Sequence, residues 1–149
     1  VYAVSTVLGG ILISSGAGSL LSGRLVNWRK DILKYVLPIL CLIIILYFIT
    51  LSFVVYSLLK LNLLARIITG ILILAPLGLL MGIPFPIGIR WLEERAGGLI
   101  PWAWAVNGCT SVLASILAMM LALSIGFTGV ILFAAIAYLL AMVFFLVAR

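Results

Sequence analysis

The sequence predicts an all-α, polytopic bundle of about five transmembrane helices, with the third helix broken at Pro84 and Pro86. Three observations predict it. Of 149 residues, 67% are hydrophobic and 8% are charged, against roughly 25% charged in an ordinary soluble domain, and the mean hydropathy is +1.49. Residues 1–23, 35–59, 67–89 and 96–148 carry no charged side chain at all. The first three stretches each suit one bilayer crossing of about 20 residues. The fourth is too long for one, and the small, turn-prone SIGFTG at 124–129 is where it is expected to fold into two.

The first helix is expected from Tyr2 to about Gly23. Gly10, Ser14, Gly18 and Ser22 recur in it at every fourth position, with Ser15 and Gly16 beside them. Lipid tails are as apolar as leucine, so apolar side chains gain little by meeting one another in a membrane. Helices there associate through close backbone approach, which small residues permit, and this helix is expected to be internal. The second, from Tyr35 to about Leu59, is bulky and β-branched with no glycine and is expected to face lipid over much of its surface. Pro38 falls in its first turn, where a missing N–H breaks nothing.

The third helix is expected to begin near Ile67 and carries Gly70, Pro76, Gly78 and Gly82 before Pro84 and Pro86. Kinks are expected at both ends of that run. The fourth is expected to start around Pro101, a favoured first helical residue. The fifth, from Phe127 to about Ala148, reads as a peripheral, lipid-facing span.

The net charge of +6 would suggest nucleic acid in a soluble protein. Here the cations sit at helix ends, where they set orientation, and no nucleic-acid partner is expected. Placing the 24–34 loop in the cytoplasm puts seven of the nine basic residues inside (Arg24, Arg29, Lys30, Lys34, Arg90, Arg95 and Arg149) and leaves Lys60 and Arg66 outside. The amino end is then extracytoplasmic and the carboxyl end cytoplasmic. The sequence starts at Val1 and enters its first crossing at once, without a signal-peptide pattern. It is expected to be a piece of a longer chain, residues 1–149 forming its integral membrane domain.

Histidine is absent, and the carboxylates are Asp31, Glu93 and Glu94, all in expected cytoplasmic loops. Acid–base chemistry within the membrane has no candidate residue. No glycine-rich phosphate-binding motif occurs, and no catalytic residue, metal site or cofactor is expected in this chain. Cys41 and Cys109 are expected to be buried, inert thiols within helices two and four. The expected partners are the lipid bilayer and neighbouring transmembrane helices or the rest of the parent chain.

One stretch, MGIPFPIGIRWLEERAGGLIPWAWAVNG at 81–108, departs from plain hydrocarbon. Proline at 84 and 86 removes two donors and disfavours helical geometry at Ile83 and Phe85, so the third helix is expected to end or unwind there. Freed carbonyls in a membrane must be buried in protein or line a wet cavity, and such breaks form binding sites in several transporter folds. The competing account is a helix that simply leaves the bilayer, with Trp91, Trp102 and Trp104 in an interfacial aromatic belt. Asn107 lies about two turns into helix four, where an unpaired amide costs about 2 kcal/mol or more, so it is expected to face the bundle and bond the carbonyls near Pro84 and Pro86. Pro84, Pro86, Trp104, Asn107, Gly108 and Ser111 are the candidate binding residues. Gly10, Ser14, Gly18 and Ser22 are the candidate packing residues.

The words GIPFPIGIRWLEE, IPWAWAVNGCTSVLASILA and GFTGVILFAAIAYLLAM resemble the membrane region of bacterial proteins that fuse a major-facilitator-like bundle to a spermidine-synthase-like domain. GAGSLLSGRLVNWRK after helix one also looks like the glycine-and-arginine cytoplasmic loop of such bundles. The resemblance covers most of the chain and is strongest from 82 to 142. It implies a parent that acts on polyamines or similar small amines by aminopropyl transfer, in a soluble domain of which nothing is present here. The present piece is then its anchoring or transport-like part, in the bacterial inner membrane. A structural subunit packed in a larger complex is the alternative.

Overall fold

The computed structural model describes residues 2–28 and 32–147. All regular structure among them is helical: α1 (Tyr2–Trp28), α2 (Leu33–Leu58), α3 (Leu63–Met81), α4 (Pro84–Ala96) and α5 (Ile100–Val147), with a short 3-10 turn at Gly97–Leu99 between the last two. Three helical stretches are long and apolar enough to cross a membrane, namely Ser5–Val26, Leu33–Thr50 and Leu63–Val147. The third, at 85 residues, contains the α3–α4 junction and an elbow in α5, where Gly126 adopts φ 79°, ψ 170°. That conformation is essentially open only to glycine.

α1 and α3 make the most intimate contact in the molecule. A methyl group at Gly18 would overlap the Leu79 carbonyl, one at Gly82 the Ser15 carbonyl, and one at Gly78 the Ser14 hydroxyl. Further up, Gly10 faces Ile71, with 3.2 Å between the place a Cβ would take and Cγ1. The contacts advance together along both helices, so α1 and α3 run parallel. The hydroxyls of Ser14 and Ser22 are turned back onto their own helix, to the Gly10 carbonyl at 2.7 Å and the Ser19 carbonyl at 2.6 Å. Both side chains are therefore buried without an unsatisfied donor.

Side-chain packing, by contrast, centres on α2. Leu33, Val36, Leu37, Leu40, Cys41 and Ile44 are buried, Leu40 completely. Leu33 and Val36 cluster with Ile83 and Ile87, against Leu25, Val26 and Phe145. Leu40 and Ile44 cluster with Ala135, against Leu77, Met81, Ile131 and Tyr138. α2 thus runs antiparallel to both α3 and the second half of α5. The Tyr47 hydroxyl donates to the Ile73 carbonyl and pins α2 to α3 where that backbone would otherwise be plain helix.

At the opposite end, the α2–α3 turn is closed by two caps. Asn62 accepts from the Ala65 N–H at 2.9 Å. The Arg66 guanidinium donates to the carbonyls of Leu58, Leu59 and Leu61 at 3.1, 2.9 and 3.1 Å, which answers both the orphan acceptors and the negative end of α2.

Several expectations are corrected by this arrangement. α1 continues to Trp28, and α3 starts at Leu63 and runs through Pro76. α2 is exposed over much of its surface, as expected, with Leu42, Ile49 and Phe53 at 66, 70 and 76%, while its other face fills the space between helices. α1 is covered along one stripe only, its Leu12, Ile13 and Leu20 being 69, 77 and 83% exposed. Arg29, Lys30, Asp31 and Arg149, together with the end of helix five at Ala148, lie outside the described residues.

Candidate functional site

The α3–α4 junction carries the candidate site. α3 stops at Met81, yet the linking Gly82 (φ −74°, ψ −15°) and Ile83 (φ −83°, ψ −43°) both keep right-handed helical angles. The prolines do not unwind a helix. They stand in the first turn of α4, Pro84 at its first residue, where N–H groups have no intrahelical partner to lose. The carbonyl of Leu80, which Pro84 cannot reach, accepts instead from the Ile83 N–H at 3.3 Å. The expected excursion of Ile83 and Phe85 from helical geometry is therefore absent.

Around Glu93 and Glu94, where the sequence predicts a loop, the structure has an amphipathic helix, α4. Ile87 is buried, Arg90, Glu93, Glu94 and Arg95 are exposed, and the Arg95 guanidinium lies 4.0 Å over the Trp91 ring. Arg90 reaches the end of α1, with a guanidinium nitrogen 3.0 Å from where a Cβ on Gly23 would stand. Those contacts bring Arg24, Lys34, Arg90 and Arg95 to one end of the bundle, opposite Lys60 and Arg66.

Phe85, between the two prolines, meets Trp104 edge to face, with ring centroids 4.9 Å apart and planes at 82°. Beside this pair opens a groove of about 510 Å³ between α4 and α5, lined by Phe85, Leu92, Trp102 and Val106 and bearing the polar side chains of Asn107 and Thr110. Asn107 therefore shares a wall with Phe85. Its amide, however, is exposed and has no hydrogen-bond partner among the described residues; the carbonyl of Asn107 accepts from Thr110 at 3.2 Å and Ser111 at 2.7 Å. Gly108 and Ser111 are exposed on α5, with no atom within 4 Å of the place a Cβ on Gly108 would take.

The candidate binding residues are thus divided. Trp104 and Asn107 flank Phe85, whereas Gly108 and Ser111 lie away from the junction. Cys41 is buried as expected and Cys109 is exposed. A second groove of about 490 Å³ lies beside α1 and α3, with Gly9, Ala17 and Leu79 in its wall. Among the described residues no three His, Cys, Asp or Glu side chains converge.

The clasp of Arg66 on α2 and the packing of Arg90 on α1 were missed at the level of sequence. An asparagine four residues before an arginine at a helix start is the one local signal that pointed to the first. Nothing local pointed to the second. No protein-family model, curated protein or solved structure matches the chain.

Proposed function

We propose that the chain is a five-span membrane domain that anchors a spermidine-synthase-like parent protein in the bacterial inner membrane, with a transport-like helix arrangement. The observation that carries the membrane part is the backbone contact of Gly18 with Leu79 and of Gly82 with Ser15. Helices choose that mode of packing when lipid removes the hydrophobic incentive for side-chain burial. The crossings in this reading are α1, α2, α3 and the two halves of α5 on either side of Gly126. α4, apolar on one side and charged on the other, lies along the inner interface. The amino end is outside and the carboxyl end cytoplasmic, supported by the gathering of Arg24, Lys34, Arg90 and Arg95 at one end.

Anchoring fits better than passage of a polyamine. A polycation needs carboxylates along its path, and among the described residues neither groove is lined by one. Handling of polyamines or related small amines then belongs to the parent's soluble part. The bare first half of α5 favours a second reading, a structural subunit packed in a larger complex.

Removal of residues 1–149 from the parent should shift its aminopropyl-transfer activity from the membrane pellet to the supernatant. Activity that stays in the pellet overturns the anchor. In the same cells an impermeant maleimide should label Leu61→Cys from outside and Glu93→Cys only after permeabilisation. The reverse pattern overturns the orientation.

A further inference from the structure

The groove beside α1 and α3 runs toward a cation. Gly9, Ile13, Ala17, Ile71, Ala75 and Leu79 stand in its wall, which among the described residues holds no charged side chain. Its volume of about 490 Å³ falls within the roughly 300–1,000 Å³ of small-ligand sites, whereas a helix, about 10–12 Å across, would stand out of it. At 3.6 residues per turn, Ile13, Ala17, Leu20 and Arg24 lie on one side of α1, and Ile13, Leu20 and Arg24 are exposed there. Arg24 follows Ala17 by about 10 Å and Ile13 by about 16 Å along the helix axis. On the membrane-spanning reading that is the depth of one leaflet, about 15 Å of hydrocarbon, and Arg24 stands among the inner headgroups.

A second cation is brought beside the first. Arg90 has Glu93 and Glu94 three and four residues further along α4, the spacing at which ion pairs form on a helix. Its guanidinium nevertheless lies against Gly23 of α1, with Nη2 3.0 Å and Nη1 3.9 Å from the place a Cβ would take. A side chain at position 23 would crowd it, and Arg24 is the next residue. The planar fork of arginine binds phosphate through paired N–H···O bonds, and anionic lipids carry phosphate to the inner face of a membrane.

We propose that the groove and these two arginines seat one anionic phospholipid, an inference that rests on the membrane-spanning reading. An acyl chain lies along Ile13, Ala17 and Leu79, where it supplies the contacts that the small residues of α1 leave unmade. The phosphate is bound by Arg24, with Arg90 beside it. A zwitterionic lipid brings the same phosphate with a cation attached, which two guanidinium groups repel, so the seat selects net negative charge.

The test uses the full chain with Cys109 changed to serine and a thiol-reactive fluorophore on Leu20→Cys, beside the groove. It is placed in vesicles of equal parts phosphatidylglycerol and phosphatidylcholine, one of the two carrying a chain-borne nitroxide, which quenches fluorophores at short range. Labelled phosphatidylglycerol should quench at least threefold more strongly than labelled phosphatidylcholine. Arg24→Gln should bring the two to parity, and so should Ala17→Leu, which fills the groove with Arg24 intact. Arg95→Gln, which removes the same charge from α4, should leave the preference in place, and a fluorophore on Leu42→Cys of α2 should show none. Equal quenching by the two lipids at position 20, a preference that survives Arg24→Gln or Ala17→Leu, an equal loss with Arg95→Gln, or the same preference at position 42 would each overturn the seat. Quenching by both lipids at position 42 and by neither at position 20 would overturn it too, since protein would then cover the groove. Absence of quenching at both positions would instead remove the membrane reading on which the seat rests.

Discussion

The α1–α3 pair and the first half of α5, an arm from Ile100 to the Gly126 elbow, carry the same kind of sequence and have opposite surroundings. Gly10, Ser14, Ser15 and Gly18 on α1 lie against Ile71, Gly78, Gly82 and Leu79, so near that a methyl group at Gly18, Gly78 or Gly82 would overlap its neighbour. On the arm, Asn107, Ser111 and Ala114 are exposed and Ala118 is half-buried beside the elbow. A ladder of small residues therefore states that a close partner fits, and says nothing of which helix supplies it. The difference lies in the second helix. α3 offers Gly78 and Gly82 beside Ser14 and Ser15 of α1, whereas α4, the arm's neighbour, offers the bulky Phe85 and holds it away at an aromatic edge.

The largest expected effect separates these two surfaces. Gly18→Leu puts a branched side chain into the Leu79 carbonyl and should cost well above the roughly 1–3 kcal/mol of ordinary overpacking, so folded protein recovered from membranes should fall several-fold. Leu42→Phe on the exposed side of α2 should leave the yield within error. Equal yields from the two variants would break the comparison, because the α1–α3 contact would then not be close.

A smaller effect is expected at the elbow. Gly126→Ala forces a Cβ into a backbone region that is nearly glycine-only, at about 1–3 kcal/mol. It should lower the thermal midpoint of the detergent-solubilised protein without lowering its membrane insertion. An unchanged midpoint would mean that the arm swings to a different angle at no cost.

The smallest concerns the arm's tether. Trp104→Ala removes the edge-to-face contact with Phe85, worth about 0.5–1.5 kcal/mol beyond buried area, and should raise protease cleavage within Gly97–Leu99 modestly. Unaltered cleavage would show that Trp104 acts only as an interfacial ring.

Much of the architecture was legible because it depends on local quantities. Charge-free lengths marked the long apolar helices, and the small-residue period on α1 marked the face that meets α3. SIGFTG marked the elbow at Gly126. The candidate site was legible only in part. Phe85, Trp104 and Asn107 share a groove, but the Leu80 carbonyl left by Pro84 is taken by the Ile83 N–H, and both prolines occupy a first turn.

The sequence by itself determined that this protein is helical, apolar and cationic at its ends, since hydropathy and helix propensity are summed over neighbours in the chain. Tertiary structure decided the rest. Whether a proline breaks a helix depends on whether a carbonyl four residues back is waiting for its N–H, and that depends on where the previous helix stopped. Whether bulky α2 meets lipid or core depends on which helices flank it, and here α3, α4 and the second half of α5 enclose Leu33, Leu40 and Ile44. Arg66 found the end of α2 because the chain turned there, and Arg90 found Gly23 because α4 continues along α1 where α3 stops. Such contacts join residues distant in sequence, and their free energy appears only once the helices are side by side.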